Sequence, residues 1–105
     1  MESLAGARSA EYTEAIADGE NGESVYVHPV NSPTGEITCT VIPGGNSGKI
    51  QTTTSPMAAI AAGTAIWIDW AEGDVTATTS DIISGPVTGV RGVSVSGGIA
   101  IEIVI

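Results

Sequence analysis

From Ser24 to the last residue the apolar side chains fall in alternate positions, and this period of two is what most constrains the fold. It is clearest at the end of the chain, where Ile99, Ile101, Ile103 and Ile105 form an unbroken stripe. Val25 and Val27 alternate with Tyr26 and His28, and Ile37, Cys39 and Val41 alternate with Thr38 and Thr40. Side chains two apart share one face of a strand, so these segments predict half-buried strands. The residue types agree. The apolar mass is Val, Ile and Ala, Phe is absent, and Thr and Gly are abundant. Branched side chains suit a pleated surface, and glycine serves tight turns.

The punctuation between strands is equally legible. Asn31-Ser32-Pro33-Thr34-Gly35 predicts a hairpin joining the Val25 and Ile37 strands. Pro43 to Gly48 is a looser turn ahead of a strand from Lys49 to Thr54, and Ser96-Gly97-Gly98 is a tight hairpin turn into the last strand. Pro56 predicts a short helical turn over Met57 to Ala62, with Ser55 as its cap and Gly63 as its stop. Ala65 to Trp70 reads as strand, with Ala65, Trp67 and Asp69 on one face and Ile66, Ile68 and Trp70 on the other. Val75 to Thr79 and Val87 to Val95 follow as further strands, the latter introduced by Asp81 to Ile83. The expected architecture is all-β: a compact β-sandwich or jelly-roll-like domain of about seven or eight short antiparallel strands. No long helical pattern interrupts them, which argues against a parallel α/β sheet.

Residues 1–22 differ, with sparse or small apolar side chains and five of the six acids that precede Ser24. They read as an acidic N-terminal arm and linker, with 23–105 as the β domain. A short helix over Ala10 to Ala17, capped by Ser9, is the alternative to an extended arm.

Charge removes whole classes of partner. Twelve acidic residues stand against Arg8, Lys49 and Arg91, for a net charge of −9. Three basic residues cannot form the patch that displaces counterions from nucleic acid, and an anionic membrane surface is disfavoured on the same ground. Cys39 is the single cysteine, so no intrachain disulfide forms. The N-terminus lacks a basic segment followed by an apolar run, and no stretch is long enough to cross a bilayer as a helix. The expectation is a protein made in a cytoplasm.

The chemical inventory is thin. His28 is the single histidine, and no nucleophile or orienting acid stands beside it in sequence. Cys39 lies on the apolar side of its strand, where a thiol behaves as a small hydrophobe. Asp69, Glu72 and Asp74 lack the full pattern of a calcium loop, and Gly44 to Lys49 approaches a phosphate loop but has Ile50 in place of its hydroxyl residue. The expectation is no catalytic, cofactor or metal site, and therefore no enzyme.

Binding residues are easier to nominate. Alternation puts Trp67 and Trp70 on opposite faces, so one belongs to the core and the other to the surface or an interface. Both faces of the last strand are largely apolar, with Ala100 and Val104 opposite the isoleucines and Glu102 the one interruption. Either this strand is central in its own sandwich or it packs on neighbouring subunits. Trp67, Trp70, Ile101, Ile103 and Ile105 are thus the candidate interface residues.

Part of the chain looks familiar. Thr53-Thr54-Ser55-Pro56, Ala62-Gly63-Thr64-Ala65-Ile66-Trp67, then Gly85-Pro86-Val87-Thr88-Gly89-Val90-Arg91 and Ser96-Gly97-Gly98, resemble small tailed-bacteriophage virion proteins over about the last half of the chain. In that pattern Ala is commoner where Gly89 stands here. The resemblance implies a virion accessory protein, foremost a capsid decoration (cement) protein. Such a protein sits on the head surface as a dimer or trimer, binds the major capsid protein and stabilises the particle by bridging subunits. A tail- or fibre-associated module that contacts the host is the alternative. A small carbohydrate-binding domain using Trp67 or Trp70 is a further one.

Overall fold

A computed structural model describes residues 2–3, 11–27, 36–83 and 87–105. The chain is an all-β sandwich of two sheets. Its described strands are β1 (Glu2–Ser3), β2 (Glu11–Ile16), β3 (Val25–Tyr26), β4 (Ile37–Ile42), β5 (Ser47–Thr53), β6 (Ile68–Asp69), β7 (Thr79–Ile83), β8 (Gly89–Ser96) and β9 (Ile99–Val104). The first sheet runs β1-β3-β8-β5-β6 and the second β2-β9-β4-β7. All pairings are antiparallel except the short β1–β3 pair.

The isoleucine stripe explains the second sheet. β9 is central, with β2 on one side and β4 on the other. Ile99, Ile101 and Ile103 therefore point into the core, where they meet Cys39 and Val41 of β4 and Ile50 and Val90 of the first sheet. Ile101 and Ile103 are fully buried, and Ile105 is partly buried against the same cluster. The two sheets come together closely at Gly92 of β8. A methyl group there would lie 2.6 Å from Ile16 Cδ1 and 2.8 Å from Ile101 Cγ2, so only glycine lets them approach this far.

Several expectations are corrected. Glu11–Ile16, read as part of an arm or as a short helix, is an edge strand whose six residues pair with Val104 back to Ile99. Tyr12 and Ile16 reach the core, which gives the segment the anchoring that its acids obscure in the sequence. The segment from Val75 to Thr79 is not a strand: Val75 makes an isolated bridge to Gly48, and regular pairing starts at Thr79. Ala65 to Trp70 is reduced to Ile68–Asp69.

The turns are present where glycine places them, but they do not make hairpins. The strands either side of Pro43 to Ser47 belong to different sheets, and so do those either side of Gly97-Gly98. β3 and β4 are likewise in different sheets, so Val25 and Ile37 do not form a hairpin. The predicted turn between them, with His28, lies outside the described residues. Each tight turn carries the chain across the sandwich, and side chains brace the crossings. Asn46 donates to the Gly98 carbonyl at 2.8 Å, and the Gly97 N–H donates to Asp18 at 2.7 Å.

The one described helix, α1 (Met57–Ala62), sits where Pro56 and Gly63 predicted. Gly63 ends it in the left-handed region at φ 76°, with its N–H on the Ile60 carbonyl. Ser55 does not cap it. Its hydroxyl oxygen accepts from the Ile66 N–H at 3.1 Å instead, tying down the segment that follows the helix. Ile60 and Trp67 cover Gly89 and Thr53 on the outer side of the first sheet.

Candidate functional site

Two outward faces remain, and they differ in chemistry. On the first sheet, cross-strand register places Arg91, Gln51 and Asp69 in one row. Arg91 Nε donates to Gln51 Oε1 at 2.9 Å, and Gln51 Nε2 donates to Asp69 Oδ1 at 2.9 Å. Lys49 Nζ meets Asp69 at 3.1 Å and Asp74 at 3.8 Å. The Arg91 guanidinium lies 4.5 Å from the centre of the Trp67 ring. The amide of Gln51, then the ammonium of Lys49, hold the Asp69 carboxyl below its ordinary range, and burial lowers Arg91. This is a solvated polar network that consumes both basic residues among the described ones.

The outer face of the second sheet is built otherwise. Its register gives three rows running across the strands. Ala15, Ala100 and Ile42 form the first, Thr13, Glu102, Thr40 and Ser80 the second, and Glu11, Val104, Thr38 and Ile82 the third. These side chains point outward because their neighbours in sequence, Ile101, Ile103, Cys39 and Val41, point in. Thr40 and Ser80 join hydroxyls across the strands at 2.6 Å. Val104 is 41% exposed and Ile82 52%. The face is made mostly of methyls and short hydroxyls, carries no lysine or arginine among the described residues, and holds an open hollow of about 360 Å³ lined by Thr13, Ala15, Ile42, Ala100 and Glu102 among others. Glu102 is the one charge in its interior, with Glu11 at the rim. A face meant only for water ordinarily carries long charged side chains.

The residues nominated from sequence are mostly elsewhere. Ile101 and Ile103 are sealed in the core, because β9 is central and the stripe is its inward face. Trp70 is 6% exposed and its indole N–H donates to the Gly73 carbonyl at 2.7 Å. Ile105 packs against the core. Trp67 alone of the five stays half-buried at the surface without joining the core cluster, with Arg91 over its ring. Trp70 is thus no open platform for a sugar ring, and one face of the Trp67 ring is taken by Arg91. The face that is available was legible in one clause of the pattern: Ala100 and Val104 opposite the isoleucines.

Other sites offer less. Cys39 is fully buried, and desolvation, with the Asp81 charge added, pushes its thiol up to about 12. A cleft of about 260 Å³ opens between the β6 and β7 edges, lined by Thr52, Asp69, Trp70, Asp81 and Ile82 among others. Among the described residues no three His, Cys, Asp or Glu side chains converge as metal ligands do. No described helix is long and apolar enough to cross a membrane.

No family model matches the sequence, and no curated protein matches it. Solved structures do. Oxalate oxidase aligns over 91% of this chain and 40% of its own, with a TM-score of 0.53 and 11% identity. CapF, a capsular polysaccharide assembling protein from Staphylococcus aureus, aligns over 93% of this chain and 24% of its own, with a TM-score of 0.51 and 10% identity. This chain therefore spans less than half the length of either. None of these is a virion protein. At such identities the likeness shows the fold alone, which is the β-sandwich described above. It does correct one inference. The thin chemical inventory led to the expectation of no enzyme, yet oxalate oxidase has this fold and is an enzyme. The fold therefore gives no ground for excluding catalysis.

Proposed function

We propose that this chain is a structural protein of a bacteriophage particle, a capsid decoration (cement) protein that attaches to other polypeptides through the outer face of its second sheet. The observation that carries the reading is that face: built of short apolar and hydroxyl side chains, and without lysine or arginine among the described residues. Sheet faces with short side chains pack well on other protein surfaces, and the hollow on this one is wide open. The resemblance of the last half of the chain to tailed-phage virion proteins supplies the setting, with the major capsid protein as partner.

The size of the face supports the same role. Four strands of about six residues span roughly 20 Å by 20 Å, about half of the ~800 Å² that a stable interface takes from each side. One such contact is weak, and many in a lattice are firm.

The test uses heads assembled with and without the chain. Heads lacking it are expected to lose surface density in electron cryomicroscopy and to rupture at lower temperature. Adding the purified protein back restores both, whereas Ala100→Lys, which puts a charge on the face and leaves the core alone, does not. Heads indifferent to the chain, or an Ala100→Lys protein that attaches as well as the natural one, would rule the reading out.

A further inference from the structure

We infer that Glu102 sets the partner of this face: it disfavours docking of a second copy and admits a different protein whose flat apolar patch carries a lysine or arginine near its centre. The inference rests on the docking role proposed above and names the chemistry of the occupant.

The argument is one of charge. Glu102 lies in the middle row of the face, between Thr13 on β2 and Thr40 on β4. Those neighbours are uncharged, and Thr40 is joined to Ser80. Lys49 and Arg91, the basic residues among the described ones, belong to β5 and β8 of the opposite sheet. Lys49 is engaged by Asp69 and Asp74, and Arg91 by Gln51. No described cation of the chain reaches Glu102, and a surface that covers the face stabilises this carboxylate best by bringing the counter-charge with it.

The described residues of a second copy bring no such charge to this face. If two copies met face to face about a two-fold axis along the middle row, the two Glu102 carboxylates would meet in a drying contact. The net charge of −9 adds repulsion at longer range. A partner with one ammonium or guanidinium at that place turns the same carboxylate into an attraction and fixes the docking register.

The experiment makes such a partner from the chain itself. Glu102→Lys keeps the rest of the face and reverses its central charge, so it is the probe. Isotope-labelled natural protein is titrated with unlabelled Glu102→Lys protein, and separately with unlabelled natural protein, and amide shifts are followed by NMR. The expected result is shifts on β2, β4 and β9 with the Lys variant, an apparent affinity at least tenfold above that for the natural chain, and loss of binding in 0.5 M salt. Equal self-association by the natural protein through these strands would overturn the inference, as would no response to the Lys variant. Failure here with attachment to heads still abolished by Ala100→Lys removes only the selection by Glu102. Failure of both removes the docking role.

Discussion

Cys39 and Ile101 show how much a single side chain in this core is worth. Ile101 is fully buried at the centre of the second sheet, so truncation to Ala removes three carbons and leaves a cavity. A loss of about 2–5 kcal/mol is expected by urea unfolding. Val104→Ala, on the outer face of the same strand, should cost well under half of that. Similar losses for the two would contradict the inward assignment of the stripe. Cys39 carries a pH signature. Its thiol is raised from 9.0 to about 12 in the folded protein, so the folded state keeps a proton that the unfolded chain releases. The associated stability is fully present below pH 9 and drains away between pH 9 and about 12, with a slope of at most about 1.4 kcal/mol per pH unit. Unfolding midpoints of the natural protein and Cys39→Ala, compared from pH 8 to 10.5, should diverge, the natural protein falling faster. Parallel lines would show that the thiol is not held neutral by burial.

At the scale of elements, Gly92 is the position where the sheets constrain each other most. Gly92→Ala drives a methyl against Ile16 and Ile101, both of which lack free space to yield. Overpacking of this kind costs about 1–3 kcal/mol, which lowers the melting temperature by about 4–8 °C per kcal/mol for a domain near this size. An unchanged melting curve would mean that the sheets stand further apart. The same element scale divides what the sequence could tell from what it could not. Alternation identified β4, β5, β8 and β9 as strands and showed the inward face of β4, because burial enforces the period of two where one side meets the core. In β8 it is no guide, since Val90, Gly92 and Ser94 face inward and Val95 is exposed. It missed β2, where only Tyr12 and Ile16 anchor the strand and Glu14 stands between them. It also misjudged connectivity. Glycine announces that the chain turns at Gly44-Gly45 and Gly97-Gly98, yet the same turn residues serve a hairpin and a crossing between sheets. Which one forms depends on the partners available to each strand, and those lie far away in sequence. The candidate site was hidden for a related reason. The isoleucines drew attention as the stickiest residues, but a central strand buries such a stripe, and the weaker pattern on its reverse becomes the surface.

On the scale of the whole molecule, charge is the unbalanced quantity. Two cations among the described residues are gathered on one sheet, while carboxylates are spread over both, in a chain of net charge −9. The local pairs formed by Lys49 stabilise little, since both of its partners are about half exposed and screened. Repulsion among the remaining carboxylates acts over the full molecule, which measures only 35 × 27 × 20 Å. Most of these charges lie within a few Debye lengths of one another at low salt, and the unfolded chain relieves the repulsion by expanding. Salt should therefore stabilise the fold, against the usual expectation for a protein held by ion pairs. Raising sodium chloride from 0.01 to 0.5 M is expected to lift the melting temperature by about 4–8 °C, corresponding to about 1 kcal/mol. Replacing Lys49 by Met should leave that rise in place. A melting temperature that falls with salt would show that the few ion pairs, and not the surplus of carboxylates, govern the electrostatics of this molecule.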